Sequence, residues 1–536
     1  MLTQIYWRLL YKYPRKTLGS LPTPRLRGRD SKVDFAKVCR PGPLMLQPFQ
    51  FTFLNISRTV EKSSDWNHPE WEKLWLYNLH YFDDLDGVGA EERQLWHEEY
   101  LERWVDENPP NEGNGWEPYP TSLRTVNWIK WFLRTSRYSG KWHSSLALQL
   151  RTLARRPEYH LLGNHLFANA KALVFGGAYF EGELSDQWLK QGSTIIEEQI
   201  KEQILPDGGH FELSPMYHSI ILLDVLDLIQ LSKSFPQLFS QELIQEWQRC
   251  AAQMLEWLKV MTHPDGNLSF FNDAALGIAP TLENLREYAA ASGVAWTPLE
   301  ESKSHRYYHL KDSGYCRLEN SQACLLLDVG RVGPDYLPGH AHADTLSFEL
   351  SIASERILVN SGTSEYEIGE RRQWQRGSAA HNTVVINGLD SSEVWGGFRV
   401  ARRAYPTETC IDATNERAVL SGSHSGYRWL KGRPTHQRTW TLSEDSLIVD
   451  DQVSGNCESA LAFYHFTPKG VLLQLGPSLY EFQIDQTVIT IRIVVGEGYL
   501  EKTSFHPEFG LSQEKSTLVV ELLNGKAQVQ VGWGSK

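Results

Sequence analysis

The 536-residue sequence predicts a multidomain chain of α and β parts, a helical array first and an antiparallel β-sandwich second. Three observations carry that prediction. Helical periodicity dominates from about residue 45 to about residue 300. Short β-branched runs separated by Gly, Asn, Asp and Ser dominate after about residue 305. The length also exceeds what one ordinary core accommodates.

The helical half has clear members. "SDQWLKQGSTIIEEQIKEQI", "SIILLDVLDLIQLSKSF" (Ser219–Phe235) and "SQELIQEWQRCAAQMLEWLKVM" place apolar residues at helical spacing. In the second of these Asp224, Asp227 and Gln230 share one side of an otherwise apolar helix. Turn-forming clusters such as "LPDGGH" and "THPDGN" punctuate the helices, and no fixed-period repeat emerges. The strand half includes "ACLLLDVG", "TLSFELSI", "HNTVVING", "ALAFYHFTP" and "VITIRIVV". The change of texture falls within Thr297–Tyr308. The expected division is therefore an N-terminal extension over 1–50, a helical domain over 51–304 and a β-sandwich domain over 305–536.

Composition narrows the function. Hydrophobic residues at 41% and charged residues at 22% describe a globular chain. A net charge of -12 argues against a general nucleic-acid binder, but not against an anionic substrate held by a local field. Nineteen Trp and 12% aromatics fit either sugar-stacking grooves or a large helical core. Six scattered cysteines without a CxxC pair are expected to be free thiols of a reducing compartment. The opening "MLTQIYWRLLYKYPRK" is too broken by charge for a signal peptide, and no run reaches a membrane span. A cytoplasmic location is the corresponding expectation.

Five stretches carry chemistry. In "GHAHADTLSFEL" (Gly339–Leu350) alternation sets His340, His342 and Asp344 on one face of an expected early strand of the sandwich. Asp344 is placed there to orient an imidazole. In "GWEPYPTSLRTVNWIKWF", Arg124, Asn127 and Trp128 fall within one helical turn, either as part of a packed helix or at the mouth of a sugar groove. In "LLGNHLFANAKAL", Asn164 is expected as a helix N-cap with His165 beside it. In "PDGGHFELSPMYHS", Ser214–Pro215 begin a helix whose first turn holds Tyr217 and His218. The basic "GERRQWQRG" (Gly369–Gly377), with Arg376, either contacts carboxylates and sulfates or forms a solvated loop.

"DGGHFELSPMYH", "GNH", "GHAHADTLSFEL" and "RGSAAHNTVVINGLD" share this chain with an upstream "SLRTVNW". Together they resemble the heparinase II/III superfamily of polysaccharide lyases, from about Phe51 to about residue 470. The resemblance implies an incomplete helical (α/α) toroid, a β-sandwich, and an active site in the cleft between them. It implies that Asn164 meets the substrate carboxylate and that Tyr217 and His340 are catalytic. Arg124, Asn127, His165, His218 and Arg376 are the expected substrate contacts. His342 and His381 match ligands of a structural divalent metal, usually zinc, and no organic cofactor is implied. The third ligand is commonly an Asp in a segment like "LVDSGT". Here "ILVNSGT" puts Asn360 there, an amide that brings no negative charge.

These residue types suit elimination on a uronic acid. The proton at C5 is weakly acidic because the carbanion would lie beside a carboxylate. Donors such as Asn164 must first offset that charge. A base then removes the proton, and an acid serves the leaving C4 oxygen. The implied partner is an anionic, uronate-containing polysaccharide of the heparin or heparan type. Two other readings are a uronyl C5-epimerase of bacterial polysaccharide synthesis, which would return the proton from the other face, and a non-catalytic carbohydrate-binding protein.

Overall fold

The computed structural model describes residues 6–7, 22–29, 35–37, 44–297, 305–414 and 416–534. Most of the expected 1–50 extension, the boundary segment 298–304 and Cys39 lie outside the described residues. The chain forms two compact units. The first comprises Met1–Ile204, Ser219–Gln253 and Glu283–Trp296; the second comprises Leu205–His218, Met254–Leu282 and Thr297–Lys536. Two segments of the helical half, Leu205–His218 and Met254–Leu282, thus belong with the β-rich unit.

The first unit contains a three-stranded antiparallel meander, Met45–Gln47, Gln50–Phe53 and Ile56–Thr59, where helix was expected. Its second turn uses Leu54 and Asn55 in the left-handed region, a conformation Asn tolerates well. The helices follow: Lys73–Tyr81, Gln94–Glu107, Pro118–Thr135, Gly140–Ala154, Gly163–Tyr179, Glu183–Gln203 and Leu282–Ser292, with the greater part of Pro215–Ser234 and Gln241–Val260. Pro118–Thr135 and Gly163–Tyr179 are buried on nearly every face and pack on each other, with polar residues such as Arg124, Asn127 and Lys171 buried among the apolar ones. The polar side of the Ser219–Phe235 stretch is buried as well. Lys171 Nζ donates to Asp224 at 2.6 Å and also to Asp227. Tyr288 donates to Asp227 at 2.6 Å and Gln230 to Ser292 at 3.0 Å. Pairing of this kind is what lets such groups leave water. No described helix is long and apolar enough to cross a membrane.

The second unit contains antiparallel sheets. One runs Glu355–Leu358, Phe348–Ile352, Ala323–Asp328, Tyr315–Glu319, Arg306–Leu310 in spatial order. The largest has eight strands, from Pro406–Ala413 at one edge to Val471–Gly476 at the other. A four-stranded sheet joins Val384–Ile386, Ala460–His465, Gln513–Glu521 and Glu497–Phe505. One continuous core takes in Leu325, Phe348, Trp440, Val449, Ile491 and Leu518. Burial alternates along Thr435–Ser443, as a half-buried strand requires. Its inward face nonetheless carries His436 and Arg438, both held by buried Asp451 at 2.7 Å. Cys250, Cys316, Cys324, Cys410 and Cys457 are free thiols.

The segment expected as an early strand differs. Residues 338–347 form a coil, and the strand begins only at Phe348. The cause is where its backbone groups go. His340 O accepts from Asp273 N–H at 2.9 Å, and His342 N–H donates to Asn272 Oδ1 at 2.9 Å. These bonds tie the coil to a loop, Asn272–Asp273, and leave no ladder to a neighbouring strand.

Candidate active site

Four local structures in the second unit converge. Ser214 accepts the Tyr217 N–H at 3.2 Å on its hydroxyl and so caps the helix that begins at Pro215. This sets Tyr217 in the first turn. The 338–347 coil brings His340. The loop before Leu282–Ser292 brings Asp273, and the short helix Glu370–Arg376 brings Arg372.

Asp273 is the hub. It is fully buried, and one oxygen lies 2.9 Å from His340 Nδ1 while the other lies 2.8 Å from His342 Nε2. Arg372 grips both oxygens, with its Nη2 at 2.7 Å from Oδ2. Thr363 adds a bond at 3.3 Å. Burial alone would push the Asp273 carboxyl up. The Arg372 guanidinium and the bonds from His340, His342 and Arg372 hold it well below the ordinary carboxylate range. An ionised Asp273 can only accept, so His340 donates from Nδ1 and its Nε2 is the working nitrogen. Glu212 Oε2 stands 3.5 Å from that Nε2. The Tyr217 ring stacks on the His340 ring at 3.9 Å between centroids, and its hydroxyl lies 3.0 Å from that of Tyr366. Burial, then the Asp273 charge, raises Tyr366 well above its ordinary value. The arrangement can move protons: a phenol and an oriented imidazole side by side, backed by a fixed charge pair.

The expected metal ligands make a different structure. His342 is pulled down to about 4 by burial and is neutral. It donates from Nε2 to Asp273 and faces His381 Nε2 with Nδ1 at 3.2 Å, so one imidazole bonds the other. The Asn360 amide is already engaged. Its side-chain oxygen accepts from Asn382 N–H at 3.1 Å. Among the described residues no group of three or more His, Cys, Asp or Glu is placed to hold a metal. Zinc needs three or four donors, and the two imidazoles with an engaged amide do not make that set. Elemental analysis of the purified protein is accordingly expected to find substoichiometric zinc. One equivalent, lost in His381→Ala, would reverse this.

Asn164 and His165 belong to the first unit. The helix there runs Gly163–Tyr179 with Leu162, at φ 64°, as its N-cap, so Asn164 lies inside the first turn and does not cap it. Its side chain bonds the Tyr119 hydroxyl, whose ring lies 4.3 Å from His165. His165 Nδ1 is 3.3 Å from Glu158. Asn164 is 7% exposed, and His165 is more open.

Four expected substrate contacts are internal instead. Arg124 is fully buried, lies 3.8 Å from the Trp104 ring, and donates to Gln149, His80 O and Gly115 O. Asn127 donates to Tyr81 O and Asp83, each at 2.9 Å. His218 bonds Met254 O at 2.9 Å and stacks on Trp257, and burial takes it to about 3. Arg376 is fully buried and donates to Ala341 O at 2.9 Å. In each case the polar group is consumed by backbone carbonyls or core side chains that a helical wheel does not display.

Asp273, Arg372 and Glu212 were not singled out from sequence. A signal existed for the first. "LSFFNDAALG" places Asn272 and Asp273 inside an apolar run, where a buried charge needs partners. The Asp344 orientation role passes to Asp273. Asp344 instead accepts the Asn272 N–H at 3.0 Å, and burial raises it to about 6.

The chain matches two family models, the heparinase II/III N-terminus over residues 52–292 and the heparinase II/III-like C-terminal domain over 303–533. It is 27% identical over 340 residues to a heparin-sulfate lyase of Bacteroides stercoris, covering 58% of this chain and 47% of that protein. A heparin-sulfate lyase of Bacteroides thetaiotaomicron is 24% identical over 420 residues, covering 69% and 56%. The chain thus spans about half the length of these curated relatives. Among solved structures, heparinase III superposes with a TM-score of 0.66 at 17% identity, covering 86% of this chain and 77% of that one. A heparan sulfate lyase mutant from Pedobacter heparinus gives 0.61 at 17% identity, covering 91% and 82%. The likeness shows the fold, an α/α toroid followed by an antiparallel β-sandwich. With both family models matched in order along nearly the whole chain, this protein belongs to the heparinase II/III family.

Proposed function

We propose that the chain is a polysaccharide lyase that breaks a uronate-containing, heparan-sulfate-like glycosaminoglycan by β-elimination. One observation carries the reading. Tyr217 stacks on an imidazole whose tautomer is fixed by the buried Asp273–Arg372 pair. A binding protein needs no such device, and acid–base chemistry does. The similarity to heparin-sulfate lyases supports the substrate class.

In this reading a donor on the uronate carboxylate, the role the family resemblance gives to Asn164, offsets the charge that opposes C5 deprotonation. One such donor contributes on the order of 3 kcal/mol. Where the C5 hydrogen and the C4 oxygen share a face, as in glucuronate, Tyr217 takes the proton and then serves the leaving oxygen. Where they lie on opposite faces, as in iduronate, His340 Nε2 takes the proton and Tyr217 protonates the leaving oxygen. The C4–O bond breaks, a C4–C5 double bond forms, and the chain is cut without water being added. Incubation with a panel of uronate polymers tests this. Heparan sulfate or its unsulfated precursor is expected to give an ultraviolet-absorbing unsaturated uronate at the new non-reducing end. A panel that stays intact throughout would overturn the proposal.

A further inference from the structure

The segment "EVWGGFRVARR" builds a hairpin with two exposed rings, one of which stands beside His340. Val394–Trp395 and Arg399–Val400 pair antiparallel, with Trp395 opposite Arg399. Gly396 and Gly397 make the turn at φ 57° and 75°. Both are in the left-handed region, which glycine enters without strain, and with Phe398 they make a three-residue loop between the paired Trp395 and Arg399. The residues flanking the glycines are Trp395 and Phe398, which are 49% and 42% exposed. Two large rings side by side on one turn, each with about half its surface open, form an apolar face available to a ligand.

The hairpin is anchored from beneath. Arg372 donates to Gly397 O at 3.0 Å with the same guanidinium that grips Asp273. Arg376 reaches Trp395 O at 3.4 Å and Arg399 O at 3.3 Å, and Gln373 reaches Val394 O at 2.8 Å. Three side chains of one short helix thus fix the backbone of the tip. The Phe398 ring stands edge-on to His340, 6.0 Å away, and 5.3 Å from Tyr366. On the other side of the turn the Arg399 guanidinium lies 5.1 Å from the Trp395 ring. Arg402 follows, exposed and 3.8 Å from the exposed Trp429 ring.

We infer that this hairpin is a binding platform for an anionic pyranose ring of the polymer, next to the ring being processed. The inference rests on the proposed lyase reading for the identity of the polymer. A flat apolar ring face suits the C–H face of a pyranose. A cation beside that ring suits a sulfate or carboxylate substituent. The chain carries a net charge of -12, so Arg399 against an exposed aromatic face is a departure from its overall field, while Arg402 is paired with Glu393 at 3.0 Å. The glycine turn and the buried arginines hold the platform before ligand arrives, which limits the ordering that binding must impose. Arg372 links it to the catalytic imidazole through two bonded atoms, Gly397 O and the Asp273 carboxylate.

The test uses a heparan sulfate octasaccharide and the Tyr217→Phe protein, which keeps the ligand intact. Adding Trp395→Ala or Phe398→Ala is expected to raise Kd roughly three- to tenfold. Trp395→Phe and Phe398→Trp are expected to retain binding, since each keeps a ring. Arg399→Ala is expected to weaken binding and flatten its salt dependence. Both rings are exposed, so thermal denaturation should move little; a variant that unfolds is replaced by its ring-retaining partner. Unchanged Kd in both alanine variants overturns the platform. So does failure of the parent Tyr217→Phe protein to bind the octasaccharide. Failure of the lyase reading shows separately, as no cleavage by the unsubstituted protein; full cleavage by the Tyr217→Phe parent would instead remove Tyr217 from the chemistry.

Discussion

Replacing Tyr217 by Phe is expected to lower turnover by about 10²–10⁴-fold while leaving fold and polymer binding in place. The change removes one oxygen. The ring keeps its 3.9 Å stack on His340 and its place in a capped helical turn. The hydroxyl's bond to Tyr366, at 3.0 Å, is lost. Loss of a single hydroxyl contact is worth about 1 kcal/mol of stability, too little to unfold a domain. Steady-state kinetics with a denaturation curve separates the two effects. Retention of more than about a tenth of the activity would remove Tyr217 from the chemistry.

Asp273→Asn is expected to affect both stability and activity. Its carboxylate is the only acidic partner described for Arg372, which is 1% exposed. An amide of the same shape leaves that guanidinium buried without a counter-charge. Breaking a buried pair from one side costs about 3–5 kcal/mol. The same change ends the preference that makes His340 donate from Nδ1, so its Nε2 is no longer reliably free to take a proton. Turnover is expected to drop even at temperatures where the variant is folded. A urea midpoint close to that of the unsubstituted protein would show that Asp273 is not the hub. Loss of stability with kcat unchanged would assign it a structural role alone.

The division into helices and strands was legible because it rests on period, and period survives tertiary context. The Ser214–Pro215 helix start was legible for the same local reason: a cap and a proline announce it. Tyr217 and His340 were legible as members of motifs. What the sequence hid were partnerships across the chain. Asp273 and His340 are 67 residues apart, and Arg372 is 99 from Asp273. Arg124 and Arg376 look like surface cations until the carbonyls that take their protons are known. The coil at 338–347 alternates like a strand, but its backbone bonds go to a loop. Asn164 looks like a cap until Leu162 takes that place. Asn360 is the one departure from the motif visible in sequence, and its side chain is engaged by Asn382.

Reaction in heavy water with heparan sulfate is the most direct test of the central claim, that Tyr217 and His340 drive elimination. A lyase and an epimerase both remove the C5 proton, and only the lyase cuts the chain. The account predicts shortened chains that carry an absorbing C4–C5 double bond, with that product lost in Tyr217→Phe. Deuterium at C5 of intact polymer, with no absorbing product, would contradict it.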